Sequence, residues 1–203
     1  MHVLVTGVAG FIGMHTARAL LADGVQVTGV DNFDPYYDVA LKEARVAELA
    51  GRTGFDFVRI DLADPEATRL LFARGGFTHV IHLAAQAGVR HSLLHPDAYV
   101  RNNLVAFGHV LEGCRHSAVR HLVYASSSSV YGASHTLPFS EDQRVDHPVS
   151  LYAATKCANR STAPGAGPTR RRCCSRGRSW RASRSRSSTK ADCSATSRTS
   201  TTS

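Results

Sequence analysis

The chain lacks the marks of several protein classes. None of its apolar runs approaches the roughly 20 residues a membrane-crossing helix needs; each is short and broken by Gly, His or Thr. The opening MHVLVTGVAG has neither the basic segment nor the cleavage site of a secretory leader, so the expected location is the cytoplasm. The 203 residues include five cysteines, without a CxxC pair or a secreted-type spacing, so neither a zinc site nor a disulfide framework is expected. The histidines offer no metal arrangement either. His79 and His82 fall on opposite faces of a strand, and His91 and His95 have no acidic or cysteine partner beside them.

A formal net charge of +8 suggests a nucleic-acid partner until it is divided along the chain. Residues 1–159 hold 13 Lys/Arg against 15 Asp/Glu, whereas residues 160–203 hold 11 against one. All the excess basicity lies in that last stretch. It contains ten Arg, eleven Ser and seven Thr, with no Leu, Ile, Val, Phe, Tyr or Met. Such a composition buries too little apolar surface to offset chain entropy, so residues 160–203 are expected to be a disordered tail. A nucleic-acid role for this tail, through phosphate contacts, is the weaker alternative.

Residues 1–159 read as alternating strands and helices. Strand patterns cover Val3–Val5, Val25–Val30, Phe55–Ile60, His79–Leu83 and His121–Ala125. Helical patterns cover Ile12–Asp23, Val39–Leu49, Pro65–Phe72, Ala98–Cys114 and Leu151–Asn159. The alternation implies an α/β fold, a Rossmann-type doubly wound parallel sheet of about five strands.

The first strand runs into Gly7-Val8-Ala9-Gly10-Phe11-Ile12-Gly13, a GxxGxxG loop that opens a helix. Gly7 permits the tight turn, Gly10 lets backbone approach a pyrophosphate, and Gly13 lets the helix pack close to the sheet. The helix start at Phe11 and Ile12 offers free N–H groups to phosphate. Asp31, followed by Asn32, ends the second strand. A carboxylate there accepts ribose hydroxyls and repels a 2′-phosphate, which favours NAD over NADP. Asp61-Leu62 ends the third strand, either near the adenine or as a helix-leading turn. Leu83, Ala84 and Ala85 end the fourth, where small residues leave room for ribose and pyrophosphate.

Tyr152 and Lys156 form a YxxxK pair, one turn apart on a helix face. An ammonium beside a phenol favours phenolate, as a general base requires. Lys156 can also bond a nicotinamide ribose. Ser126 to Ser129 follow the fifth strand, and a hydroxyl there can polarise a substrate alcohol or ketone beside Tyr152; the chemistry alone does not choose among the four.

Together these residues resemble the extended short-chain dehydrogenase/reductase family, in its NAD-dependent epimerase/dehydratase group. The segments GVAGFIG, VDNFDPYYDVALKEARV, DLADPEA, HLAAQAGVRHSLLHPDAYV, HLVYASSSSVYG and HPVSLYAATK are most similar to nucleotide-sugar 4-epimerases of the UDP-glucuronate branch. The resemblance implies Tyr152 as general base, Lys156 as its partner and Ser127, four residues before Tyr131, as the polarising hydroxyl. It implies Ser128 and Ser129 beside the substrate, Asn102 and Asn103 near the pyrophosphate, and Arg90 at the substrate carboxylate. It also implies a UDP-sugar substrate, reversible oxidation at C4, and a homodimer for a full-length member. Dehydratases of this family carry Asp and Glu where Ser128 and Ser129 stand, which speaks against elimination. UDP-glucuronate decarboxylation is the alternative within the same family.

Family members continue past YxxxK into a sixth strand and a sugar-binding domain. Here Arg160 opens the basic tail instead. Codons for Ser161–Thr169, read one base earlier, permit the family motif Val-Tyr-Gly-Pro-Trp-Gly-Arg-Pro-Asp. Those for Thr196–Ser203 permit Phe-Thr-Tyr-Ile-Asp-Asp-Ile. The expectation is a shifted reading frame near Asn159, an absent substrate domain and a truncated, inactive product.

Overall fold

The computed structural model describes residues 1–162 apart from positions 135 and 141, and side chains only to Asn159. The expected tail, and with it the domain boundary at residue 160, lies outside the residues whose side chains are described.

Strands β1 (His2–Thr6), β2 (Gln26–Asp31), β3 (Phe55–Arg59), β4 (His79–His82) and β5 (His121–Tyr124) form one parallel sheet in the order β3-β2-β1-β4-β5. Helices α1 (Phe11–Ala22), α2 (Val39–Ala50), α3 (Pro65–Gly75), α4 (His91–Leu94), α5 (Pro96–Tyr99), α6 (Ala106–His116) and α7 (Leu151–Thr162) connect or follow the strands.

β1 is apolar on both faces because it is covered on both. Leu4 packs with Phe72, Val80 and Val110. Val3 and Val5 point the other way, with Met14, Ala17 and Leu49. The chain winds outward from β1 in both directions, so the strand order reverses between β1 and β4. In open parallel sheets, ligands bind in the crevice at that reversal, beyond the carboxyl ends of the strands.

Local chemistry sets the helix ends. The Asp38 carboxylate accepts from Ala40 N and starts α2. Asp64 accepts from Glu66 N and Ala67 N ahead of Pro65, and Gly76, in the left-handed region, ends α3. The long helix expected over Ala98–Cys114 is instead α5, a π-helical segment at Val100–Val105, and α6. Apolar periodicity does not register one extra residue per turn, so the sequence pattern read straight through it. Two short elements also escaped the pattern: α4 and a 3₁₀ turn at Ser128–Tyr131. β5 has one strand neighbour among the described residues, and all four of its residues are only half-buried.

Candidate functional site

A cleft of about 480 Å³ opens at the carboxyl ends of β1, β2, β3 and β4. Gly7, Gly10, Phe11, Ile12 and Gly13 form one wall, Asp31, Asn32, Asp61 and Leu62 a second, and Leu83, Ala84, Ala85 and Asn102 a third. Those are the loop residues that the sequence assigned to a cofactor.

The glycine loop is held by backbone. Gly7 N and Val8 N both donate to Val30 O, at 2.7 and 3.2 Å. A Cβ on Gly7 would lie 2.8 Å from Ala84 N, so the loop and the β4 end touch main chain to main chain. Gly10 caps α1 with no side-chain hydrogen bond, which leaves the first-turn amides at the cleft wall for a ligand. That cradle fits a pyrophosphate. Asp31 is buried and accepts from Phe33 N at 2.9 Å and Ala9 N at 3.2 Å. Its carboxylate therefore braces the loop while retaining acceptor capacity toward the cleft.

Asp61 makes the local turn and also borders the cleft. Its Oδ1 accepts from Ala63 N in a turn, while the residue lines the cleft and pairs with Arg101 at 2.7 Å. Asn102 and Asn103 separate. Asn102 lines the cleft, its amide 3.4 Å from Gln86 Oε1. Asn103 is buried and turned inward, accepting from Gln86 N and donating to Gln86 O and Thr155 Oγ1. Neighbouring residues of a helical segment point about a quarter-turn apart, so the expectation that both asparagines face the pyrophosphate is corrected for Asn103.

The YxxxK pair sits on α7, beyond the cleft wall. Lys156 is 4% exposed, and its Nζ donates to Ala125 O at 3.3 Å. Ala125 itself lines the cleft, so the ammonium is tied to the strand end bordering it. Burial lowers the Lys156 pKa to about 8. His82 is buried nearby, and burial first, then the Lys156 charge, lowers it to about 3. Thr6 Oγ1 accepts from Leu83 N and Ala84 N and lies 2.9 Å from His82 Nδ1, which assigns the hydroxyl proton to that nitrogen. Tyr152 lies in the first turn of α7, its ring nearly perpendicular to that of Tyr99 with centroids 6.1 Å apart. Ser127 Oγ caps the 3₁₀ turn, accepting from Ser129 N and donating to Ser129 Oγ, both at 3.2 Å. Ser128 is exposed, as is Arg90 at the start of α4. None of Ser127, Ser128, Ser129, Arg90, Tyr152 and Lys156 lines the cleft itself.

The family model for the NAD dependent epimerase/dehydratase family matches residues 3–165. The chain belongs to this family. It is 50% identical over 162 residues to UDP-glucuronate 4-epimerase 4 of Arabidopsis thaliana, covering 79% of this chain and 37% of that protein. To the probable UDP-glucuronate 4-epimerase of Rhizobium meliloti (strain 1021) it is 49% identical over 156 residues, with 77% and 46% covered. Among solved structures it is similar to the UDP-glucuronic acid 4-epimerase from Bacillus cereus in complex with UDP-glucuronic acid and NAD. That match has a TM-score of 0.71 and 36% identity, and covers 78% of this chain and 50% of that one. The chain thus spans half or less of the length of these relatives.

In this epimerase/dehydratase domain, sequence reasoning missed residues that the fold brings to the cleft from outside the recognised motifs. Lys42 is a buried lysine whose Nζ donates to Asp34 O at 2.7 Å, and Arg45 donates to Ala9 O at 3.3 Å. Both line the cleft from α2. Their signal was two cations three apart, one turn into a helix that follows the ribose-side aspartate. Gln86, buried and lining the cleft, had no local signal at all. No group of three or more metal-type ligands occurs among the described residues, and no helix there is long and apolar enough to cross a membrane.

Proposed function

We propose that this chain carries the cofactor half of a UDP-glucuronate 4-epimerase, interconverting UDP-glucuronate and UDP-galacturonate in its full-length form. The observation that carries the reading is the tie from Lys156 Nζ to Ala125 O. It holds the YxxxK helix against the strand end that borders a cleft fit for a dinucleotide.

NAD, when bound, supplies a reversible hydride acceptor. The glycine loop, with Asp31 behind it, would hold the dinucleotide, and Asn102 would border the pyrophosphate. Ser127 donates to the oxygen at sugar C4 and orients it. The Tyr152 oxygen would take the C4 hydroxyl proton when the sugar is oxidised there, and would return it when the turned-over 4-keto sugar is reduced from its opposite face. Lys156 supplies positive charge one helical turn from the phenol. Arg90, on an exposed loop beside α4, is the candidate for the substrate carboxylate. Ser128 and Ser129 stand where a dehydratase would need acids, so the site is suited to epimerisation.

The same reading carries a homodimer for the full-length protein. The first test is to sequence the gene through codons 150–203 and beyond. A one-base shift should restore family sequence. The restored enzyme should convert UDP-glucuronate to UDP-galacturonate, and Tyr152→Phe should stop turnover while NAD stays bound. A restored enzyme with no epimerase activity, or Tyr152→Phe with full activity, overturns the reading.

A further inference from the structure

Tyr99 is fully buried and stands at the junction between α5 and the π segment. Its hydroxyl lies 2.6 Å from both Ala87 O and Gly88 O. One O–H proton serves two carbonyls, so the loop before Arg90 is gathered onto a single phenol. The same ring meets that of Tyr152 nearly perpendicularly, at 83° with centroids 6.1 Å apart, a T-shaped contact. We propose that Tyr99 is a positioning residue that couples the orientation of the Tyr152 ring to the loop carrying Arg90.

Three observations support this. First, a residue that only filled space could be phenylalanine, whereas this hydroxyl satisfies two loop carbonyls. Second, the Tyr152 main chain is already fixed. Thr155 Oγ1 donates to Tyr152 O at 2.8 Å and accepts from Asn103 Nδ2 at 3.1 Å, so the ring is the remaining freedom of that residue. Third, Tyr99 remains a donor throughout the working range. Burial, followed by the neighbouring Tyr36, Tyr152 and Tyr37, raises its pKa to about 12. The role of Tyr152 as proton acceptor rests on the function proposed above, but the coupling itself does not.

The test places 3-fluorotyrosine at position 152 of the 203-residue chain and reads its ¹⁹F resonance. Gly88→Ala is the perturbation, because φ is +101° there and a Cβ would lie 2.7 Å from Tyr36 Oη and 3.5 Å from Tyr99 Oη. In the Tyr99 background, Gly88→Ala should shift the Tyr152 resonance. In the Tyr99→Phe background the same change should leave it near its starting position. Tyr99→Phe alone should also speed hydrogen exchange of the 87–90 amides roughly tenfold, the worth of about one hydrogen bond. Equal Gly88→Ala shifts in both backgrounds, or unchanged loop exchange in Tyr99→Phe, would overturn the coupling even if the variants lose thermal stability. Neither readout uses turnover. Full activity of Tyr152→Phe in the restored enzyme would sink the proposed function and leave this result standing.

Discussion

Gly13→Ala isolates the geometry on which cofactor binding depends. The new Cβ would fall onto Gly7 O, far inside contact distance, with Gly7 C and Val8 Cα both at 2.8 Å. All three atoms are backbone, so no rotamer relieves the overlap. Ordinary contact begins near 3.4 Å. The loop must therefore move away from α1 by at least 0.5 Å, and by about 1 Å at Gly7 O. Overpacking of this kind costs about 1–3 kcal/mol, and rigid backbone neighbours put it at the upper end. At 2–4 °C per kcal/mol for a chain of this size, Tm should fall by about 6–12 °C. The displaced loop carries the amides that would face the pyrophosphate, and losing one hydrogen bond to a charged group costs about 1.5–3 kcal/mol, so the Kd for NAD should rise by about 10–100-fold. Circular dichroism melts and calorimetric titration with NAD read the two effects separately. The control is Gly108→Ala in α6, where a Cβ meets nothing within 4 Å. It should stabilise by about 0.4–1 kcal/mol and leave NAD binding unchanged. A Gly13→Ala protein with unaltered Tm and affinity would refute the steric reasoning outright.

Three further predictions follow from buried polar groups. Lys156 holds a proton less tightly when folded, at about 8 against 10.5, so stability should rise between those pH values. Lys156→Met removes that buried charge and should raise Tm at pH 7 by several degrees while destroying turnover of the restored enzyme; a lower Tm would contradict the burial cost. His82 drops from 6.5 to about 3, so the unfolded state binds the extra proton in between. Stability should therefore fall with acid below pH 6.5, by about 2 kcal/mol at pH 5 at 1.36 kcal/mol per unit, and His82→Asn should flatten this part of a denaturant-midpoint profile. Asp31→Ala orphans Ala9 N and Phe33 N, so urea unfolding should show a loss of about 2–4 kcal/mol alongside weakened NAD binding.

Legibility in the sequence followed the range of the interactions. The glycine loop, Asp31 and the strand–helix alternation are local patterns, each tied to one turn or one strand end. They appear in the structure where the spacing put them. Asn103 is the opposite case. It sits beside Asn102 in sequence, and its partners Thr155 and Gln86 lie 52 and 17 residues away, which no local spacing reports. The depressed His82 depends on enclosure between Thr6, Phe107 and Lys156, which spacing alone does not report. Lys42 was visible as a helix-face cation but not as a buried one, because its acceptor is a main-chain oxygen in the preceding loop.

The π segment also makes helix length a specification. Deleting one residue from Val100–Val105 would permit an ordinary α-helix, and by local criteria would improve the element. A π turn holds one residue more than an α turn, so the helices on either side would stay nearly in phase and Tyr99 would keep its side of the axis. The residues inside the segment would instead be respaced around the axis, and the contacts disturbed would be those of Asn102 at the cleft and Asn103 at Thr155. In an ordinary helix a lost residue turns one flank against the other. Here the flanks would hold, and the loss would be felt at two side chains in a protein that still melts cooperatively. Length variation in this stretch therefore reports on the wall of the cleft rather than on the fold.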